Sequence, residues 1–103
     1  MIWKNLQSLK DLQKAIESSN DQPIIIFKHS TACPVSAMEK NRFESDWKQL
    51  EPDNCSAYLL DLIRYRNISN EIAAYFDVRH ESPQILVIYQ SECIFNASHH
   101  GIR

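Results

Sequence analysis

Apolar residues recur along this chain in two rhythms, one of helical spacing and one of short continuous runs. Leu9, Leu12 and Ile16 fall at helical spacing behind Ser8 and Asp11. That capping pattern predicts an amphipathic helix from about Leu9 to Ser18, ended by Asn20-Asp21-Gln22-Pro23. Ile24-Ile25-Ile26-Phe27 is too short for a helix and reads as a central strand buried on both faces. After Pro34, which suits a first helical turn, Met38, Phe43, Trp47 and Leu50 recur at spacings of three and four residues, giving a second helix to about Leu50. Glu51-Pro52-Asp53-Asn54 punctuates, and Cys55 to Asp61 reads as another largely buried strand. Ser69 with Ile72, Ala73 and Phe76 predicts a short third helix capped by the Ser69 hydroxyl and stopping near Asp77. Gln84 to Tyr89 and Cys93 to Ala97 read as two strands joined by a tight turn at Gln90-Ser91-Glu92, and Ile2 to Asn5 allows one more short strand.

A strand, a crossover helix and a second strand imply a right-handed parallel pair, to which the closing hairpin adds antiparallel partners. The expected class is α/β, with a central mixed sheet of about four to five strands flanked by helices. No repeat, low-complexity tract or linker divides the chain, so residues 1–103 are expected to form a single domain. A further helix would normally cover the sheet after Ala97, where only Ser98 to Arg103 remain, so a C-terminal helix is expected to be missing or truncated.

Composition narrows the function. A formal net charge of −2 gives no basic surplus to offset a phosphate backbone, which argues against nucleic acid as a main partner. Met1 to Leu6 lacks the apolar segment of a signal peptide, and no run approaches the length of a bilayer span. A cytoplasmic protein with no membrane partner is the expectation. The single glycine, Gly101, excludes glycine-rich phosphate loops and the dinucleotide fingerprint. Three cysteines, Cys33, Cys55 and Cys93, without a Cys-x-x-Cys pair fit neither a disulfide framework nor a four-ligand zinc site, and at least one thiol is free.

Cys33 lies where the first long strand gives way to a helix, so it faces unpaired backbone N–H groups and the positive end of the helix dipole. Two readings stand: a reactive thiolate, or a small apolar residue at a helix start. Strand direction separates the cysteines. Cys55 opens the parallel neighbour and Cys93 follows the hairpin turn, so both fall at the opposite end, roughly 20 Å away for six residues at 3.3 Å each. They read as strand residues. Pro83 stands before a strand at the Cys33 end, either as an ordinary trans proline or as a cis proline that leaves the Ser82 backbone free to pair with an extended substrate. The last strand returns Ser98-His99-His100-Gly101 to the same end, where His99 would hold a carboxylate or assist proton transfer if it is more than a solvated side chain. His29 and His80 carry no helical metal spacing.

Four blocks, Lys28 to Ala37 with Thr31-Ala32-Cys33-Pro34-Val35-Ser36, Leu60 to Arg66, His80 to Gln84, and Ala97-Ser98-His99, resemble in the same order the monothiol bacilliredoxins of the thioredoxin-like superfamily. The resemblance spans about residues 3 to 101. It implies a thioredoxin-like fold and a thiol-disulfide oxidoreductase that removes bacillithiol from protein mixed disulfides. By that resemblance Cys33 would be the nucleophile, Thr31, Pro34 and Ser36 its motif neighbours, and Pro83 the cis proline, while Ser82 and His99, placed at the same end by strand direction, are the candidate substrate-binding residues beside Pro83. Ser36 takes the place of a resolving cysteine, so a second thiol must come from outside the motif, and its hydroxyl would donate to the Cys33 thiolate. Arg64, Arg66, Arg79, His99 or Gly101 would line a pocket for the small thiol's carboxylates. The implied co-substrate is bacillithiol itself, with no tightly bound cofactor and no metal. The implied partners are S-bacillithiolated client proteins, met by a monomer or weak dimer. The competing readings are a thioredoxin-like binding module, an iron-sulfur carrier, and a redox sensor that is thiolated without turnover.

Overall fold

Ile24, Ile26 and Phe27 are fully buried in the middle of a five-stranded sheet. The computed structural model describes residues 3–50 and 55–98. The elements run β1 (Trp3–Asn5), α1 (Leu9–Ser18), β2 (Ile24–His29), α2 (Pro34–Leu50), β3 (Ser56–Asp61), α3 (Arg66–Phe76), β4 (Gln84–Tyr89) and β5 (Glu92–Ser98). The sheet order is β1-β3-β2-β4-β5; β3 lies parallel to both β1 and β2, and β4 is antiparallel to β2 and β5. This is the mixed α/β sheet read from the sequence, including the short first strand.

Because side chains alternate along a strand, β2 feeds two cores. Ile24 and Ile26 join Leu60, Leu86 and Ile88 beneath Leu12 and Ala15 of α1 and Ile68 and Ile72 of α3. Ile25 and Phe27 face the other way and join Ile85 and Phe43 of α2, with Trp3 and Trp47 packed around them. Trp3 lies edge-on to Phe27 at 5.9 Å, and its indole N–H donates to Glu44 Oε2 at 2.7 Å, which ties the chain start to α2.

The first helix follows its sequence signals closely. Asp11 N–H donates to Ser8 Oγ at 3.0 Å, and Gln7 N–H donates to Asp11 Oδ2 at 3.0 Å, so the first turn of the helix is closed onto the residues that lead into it. In α2 the buried positions are Ser36, Glu39 and Phe43, while Met38, expected on the apolar face, is exposed. Glu39 lies 3.7 Å from Arg42 in an i,i+3 ion pair. The Leu50 side chain and the break at Glu51 to Asn54 lie outside the described residues.

The start of α3 corrects the sequence reading. The helix begins at Arg66, and the residue before it, Tyr65, supplies no side-chain cap. Asp61 makes the entry instead: its Oδ1 accepts from the N–H groups of Ile63 and Arg64 at 3.2 and 3.4 Å, and its carbonyl accepts from Tyr65 N–H at 2.9 Å. Ser69 is therefore an interior, buried helix residue. The strand β3 starts at Ser56 and lies between β1 and β2, but only Ala57 and Leu60 are buried in it, fewer than the largely buried strand read from the sequence.

The hairpin is tighter than the three-residue turn read from the sequence. Tyr89 pairs with Glu92, so Gln90 and Ser91 alone turn the chain, both with positive φ (50° and 63°). Ser19 at the end of α1 braces this turn through its carbonyl to Gln90 N–H at 2.8 Å and its Oγ to Ser91 N–H at 3.1 Å. A register shift between Val87 and Ile88 bulges the edge strand, where Ile94 and Phe95 are exposed.

Candidate redox site

β2 ends at His29 and α2 begins at Pro34, with Ser30-Thr31-Ala32-Cys33 between. Proline at the first helical position loses nothing by lacking an N–H, which makes Cys33 the residue that caps the helix. Its backbone agrees: Cys33 C=O accepts the first helical bond from Ala37 N–H at 3.2 Å, and Cys33 N–H donates to Ser30 C=O at 3.2 Å. The thiol is half-buried and free. Thr31 and Pro34 are exposed beside it.

Ser36 is fully buried one turn into the helix. Its Oγ accepts from Ser30 N–H at 3.0 Å and lies 2.7 Å from His29 Nδ1. The hydroxyl expected to support the Cys33 thiolate is thus engaged by the end of β2. Burial, reinforced by the Lys40 charge, lowers the pKa of His29, against the opposing pull of Asp61 and Glu44. His29 and Thr31 also open onto a cleft of about 220 Å³ bounded by Asp61, Arg64 and Tyr65.

On the other side of β2, Lys28 pairs with Gln84, the first residue of β4. Immediately before Gln84 the Ser82-Pro83 peptide is cis, with Pro83 buried and Ser82 half-buried. The fold therefore brings the cis-proline loop to the strand end that delivers Cys33. Gln84 Nε2 donates to Arg79 C=O at 2.9 Å, fixing the loop, and Ser98 Oγ donates to Glu81 Oε2, bringing the end of β5 alongside. Of the arginines considered for a carboxylate pocket, only Arg64 lines the cleft. Arg66 begins α3, and its charge helps lower His80. His99 and the rest of the 99–103 segment lie outside the described residues.

Cys55 and Cys93 sit at the opposite end of the sheet, where Ser56 and Ile88 flank Ile24 and Cys93 pairs with Ile88. Both thiols are half-buried, and burial raises both pKa values, in Cys93 against hydrogen bonds that lower it, including one to the Phe95 carbonyl. Among the described residues no three His, Cys, Asp or Glu side chains gather as a metal site, and no helix is long and apolar enough to cross a membrane.

Two polar groups escaped the sequence reading. Lys28 is fully buried beneath α3, with Nζ donating to Ser69 C=O at 3.2 Å and lying 3.3 Å from His80 Nδ1. His29, on the opposite face, holds Ser36. The signal was a lysine and a histidine continuing an apolar strand whose alternation assigns them to opposite faces.

A five-stranded sheet in the order β1-β3-β2-β4-β5, with a cysteine capping the helix after its central strand and a cis-proline loop beside it, defines a thioredoxin-like thiol oxidoreductase. Residues 4–103 match the family model described as Monothiol bacilliredoxin BrxC, and the chain belongs to that family. It is similar to a solved structure described provisionally as an oxidoreductase with a thioredoxin fold, at 28% identity and a TM-score of 0.84 over 96% of this chain and 84% of that one. Thioredoxins share the fold at lower identity. That of Fasciola hepatica is 18% identical, with a TM-score of 0.69 over 92% of this chain and 85% of that one. That of Malassezia sympodialis is 15% identical, with a TM-score of 0.76 over 94% and 78%.

Proposed function

We propose that Cys33 removes bacillithiol from protein mixed disulfides in the cytoplasm, one thiol at a time. The Cys33 thiolate attacks the bacillithiol sulfur, the mixed disulfide breaks, and the client sulfur leaves as a thiolate that takes up a proton. Cys33 is left joined to bacillithiol by a new disulfide. A free low-molecular-weight thiol, as thiolate, then attacks the bacillithiol sulfur, Cys33 leaves as thiolate, and the two small thiols depart joined in a disulfide, so the two electrons come from external thiol.

The observation that carries this reading is the isolation of Cys33. The fourth motif position is Ser36, and the other two thiols lie at the far end of the sheet. A disulfide needs Cα atoms within about 7 Å, which that separation does not meet. The open N–H groups at the start of α2 favour the thiolate. Ser82, held ahead of Gln84 by the cis peptide, offers its backbone to an extended client segment, and Thr31 and Pro34 border the thiol. Client proteins carrying bacillithiol are the partners, and a compartment that keeps thiols reduced suits the cycle.

The test is release of bacillithiol from a defined S-bacillithiolated protein with excess bacillithiol present. Repeated turnover by the parent protein, and a loss of at least about a hundredfold in Cys33→Ala, are expected. Release that stops after one equivalent would make the protein a thiolated sensor, and release unchanged in Cys33→Ala would remove the cysteine from the mechanism.

A further inference from the structure

The buried Ser36 hydroxyl has one proton to give and two neighbours. It already accepts from Ser30 N–H, so a lone pair is committed there. A hydroxyl without solvent contact needs an acceptor for its proton, and the only acceptor within hydrogen-bonding reach among the described residues is His29 Nδ1 at 2.7 Å. That assignment fixes His29 as the tautomer with its proton on Nε2. The ring is held by its position at the end of β2, tilted against Phe27 with ring centres 6.1 Å apart.

Ser36 also occupies the third position of α2, with Cys33 at the cap. Both residues lie in the first turn of the helix, which leaves Cys33 as the nearby group a Ser36 hydroxyl without another acceptor would turn toward. We infer that His29 is a positioning residue that holds the Ser36 proton away from Cys33, so that the thiolate is supported by the backbone N–H groups of α2 and not by the Ser36 hydroxyl. This rests on the reading of Cys33 as the reacting thiol. It gives the arrangement a chemical purpose, because each further donor to a thiolate makes it more abundant and less nucleophilic, and a thiol of moderate acidity attacks disulfides best near neutral pH.

The experiment is the pH–rate profile of Cys33 alkylation by iodoacetamide, followed on the Cys33 peptide by mass spectrometry. A whole profile separates thiolate abundance from nucleophilicity, which a single rate does not. In His29→Phe the ring is kept and the acceptor lost, so the freed Ser36 hydroxyl turns to the sulfur. The profile is expected to move about one pH unit toward acid, the size of one hydrogen bond to a charged group. Adding Ser36→Ala to His29→Phe returns the profile to that of the parent. Ser36→Ala alone leaves it within about 0.3 pH unit, a small fraction of the shift one hydrogen bond produces. His29→Asn, whose amide oxygen stands close to the place of Nδ1, also keeps the parent profile.

A profile that moves toward alkali in Ser36→Ala alone would show the hydroxyl already on the sulfur and overturn the inference, as would a His29→Phe profile that stays in place. Should His29→Phe not fold, the Ser36→Ala result alone decides. Alkylation needs no mixed disulfide, so a parent protein inactive on bacillithiolated clients would strike at the proposed reaction and not at the hold of His29 on Ser36.

Discussion

Lys28 is fully buried with its Nζ 3.3 Å from Nδ1 of the half-buried His80, and no ion pair joins it to a carboxylate among the described residues. The amine sits directly below the loop that leads to Pro83, and its other contact is the Ser69 carbonyl. The cost of this placement is electrostatic, because burial without a counter-ion penalises the charged form.

That cost gives the first prediction. Burial lowers the Lys28 pKa from 10.5 to about 8. Between these values the unfolded chain still binds the proton that the folded protein has released, so stability rises with pH across that window and the penalty is fully present below pH 8. At ~1.4 kcal/mol per pH unit the gain has an upper bound of about 3.5 kcal/mol. Urea unfolding from pH 7 to 10 should show the rise in the parent and its loss in Lys28→Met. The difference between the two proteins is the quantity to read, because burial raises the pKa values of Cys55 and Cys93, which works in the opposite sense.

The acid side behaves differently. Burial, with nearby cations, holds both His29 and His80 below the ordinary histidine value of 6.5. The unfolded chain therefore binds protons first as pH falls, and stability should decline below pH 6.5. Thermal unfolding between pH 7 and 5 should show a shallower decline in His80→Gln than in the parent. An identical decline would place the acid sensitivity elsewhere.

Cysteine labelling separates the three thiols. Iodoacetamide at pH 7 should modify Cys33 first, with Cys55 and Cys93 following at least about tenfold more slowly, because burial suppresses their thiolates. Time-resolved peptide mapping reads the order directly, and comparable rates at all three sites would contradict it.

The hairpin carries avoidable strain. Gln90 and Ser91 both adopt left-handed backbone conformations without glycine, in a two-residue turn that favours Asn-Gly. Replacing Gln90→Asn and Ser91→Gly together should stabilise the protein by about 1 kcal/mol and raise Tm by about 5 °C, since the Ser19 braces reach only backbone N–H groups. A lower Tm would mean that the contact of Ser91 Oγ with Asn20 matters more than the backbone conformation.

These residues also show how far the sequence could be read. The first helix, the sheet and the position of Cys33 were legible because they rest on local capping and on alternation, which each residue carries with its neighbours. The direction of β2 and β4 was enough to bring Pro83 to the Cys33 end and to send Cys55 and Cys93 away. Ser69 misled because its hydroxyl suits a helix cap equally well as a buried partner for His80, and the choice is made by Asp61, which turns the chain earlier. Met38 misled because α2 buries the small Ser36 and the acidic Glu39 on the side that periodicity reserves for apolar residues. The hold of His29 on Ser36 crosses from the end of a strand to the first turn of a helix, so neither element's periodicity relates the two residues.

The pairing of Lys28 with Gln84 has a consequence for how the protein is made. It joins residues 56 positions apart, and α2, β3 and α3 all lie between them. Such a distant contact is costly in chain entropy until most of the molecule has formed. During synthesis the Cys33 segment is complete long before the strand carrying Pro83 emerges, so the thiol spends that interval in an unshielded chain. The site that sets Cys33 beside the cis-proline loop is thus a property of the finished fold, assembled only once β4 has paired with β2.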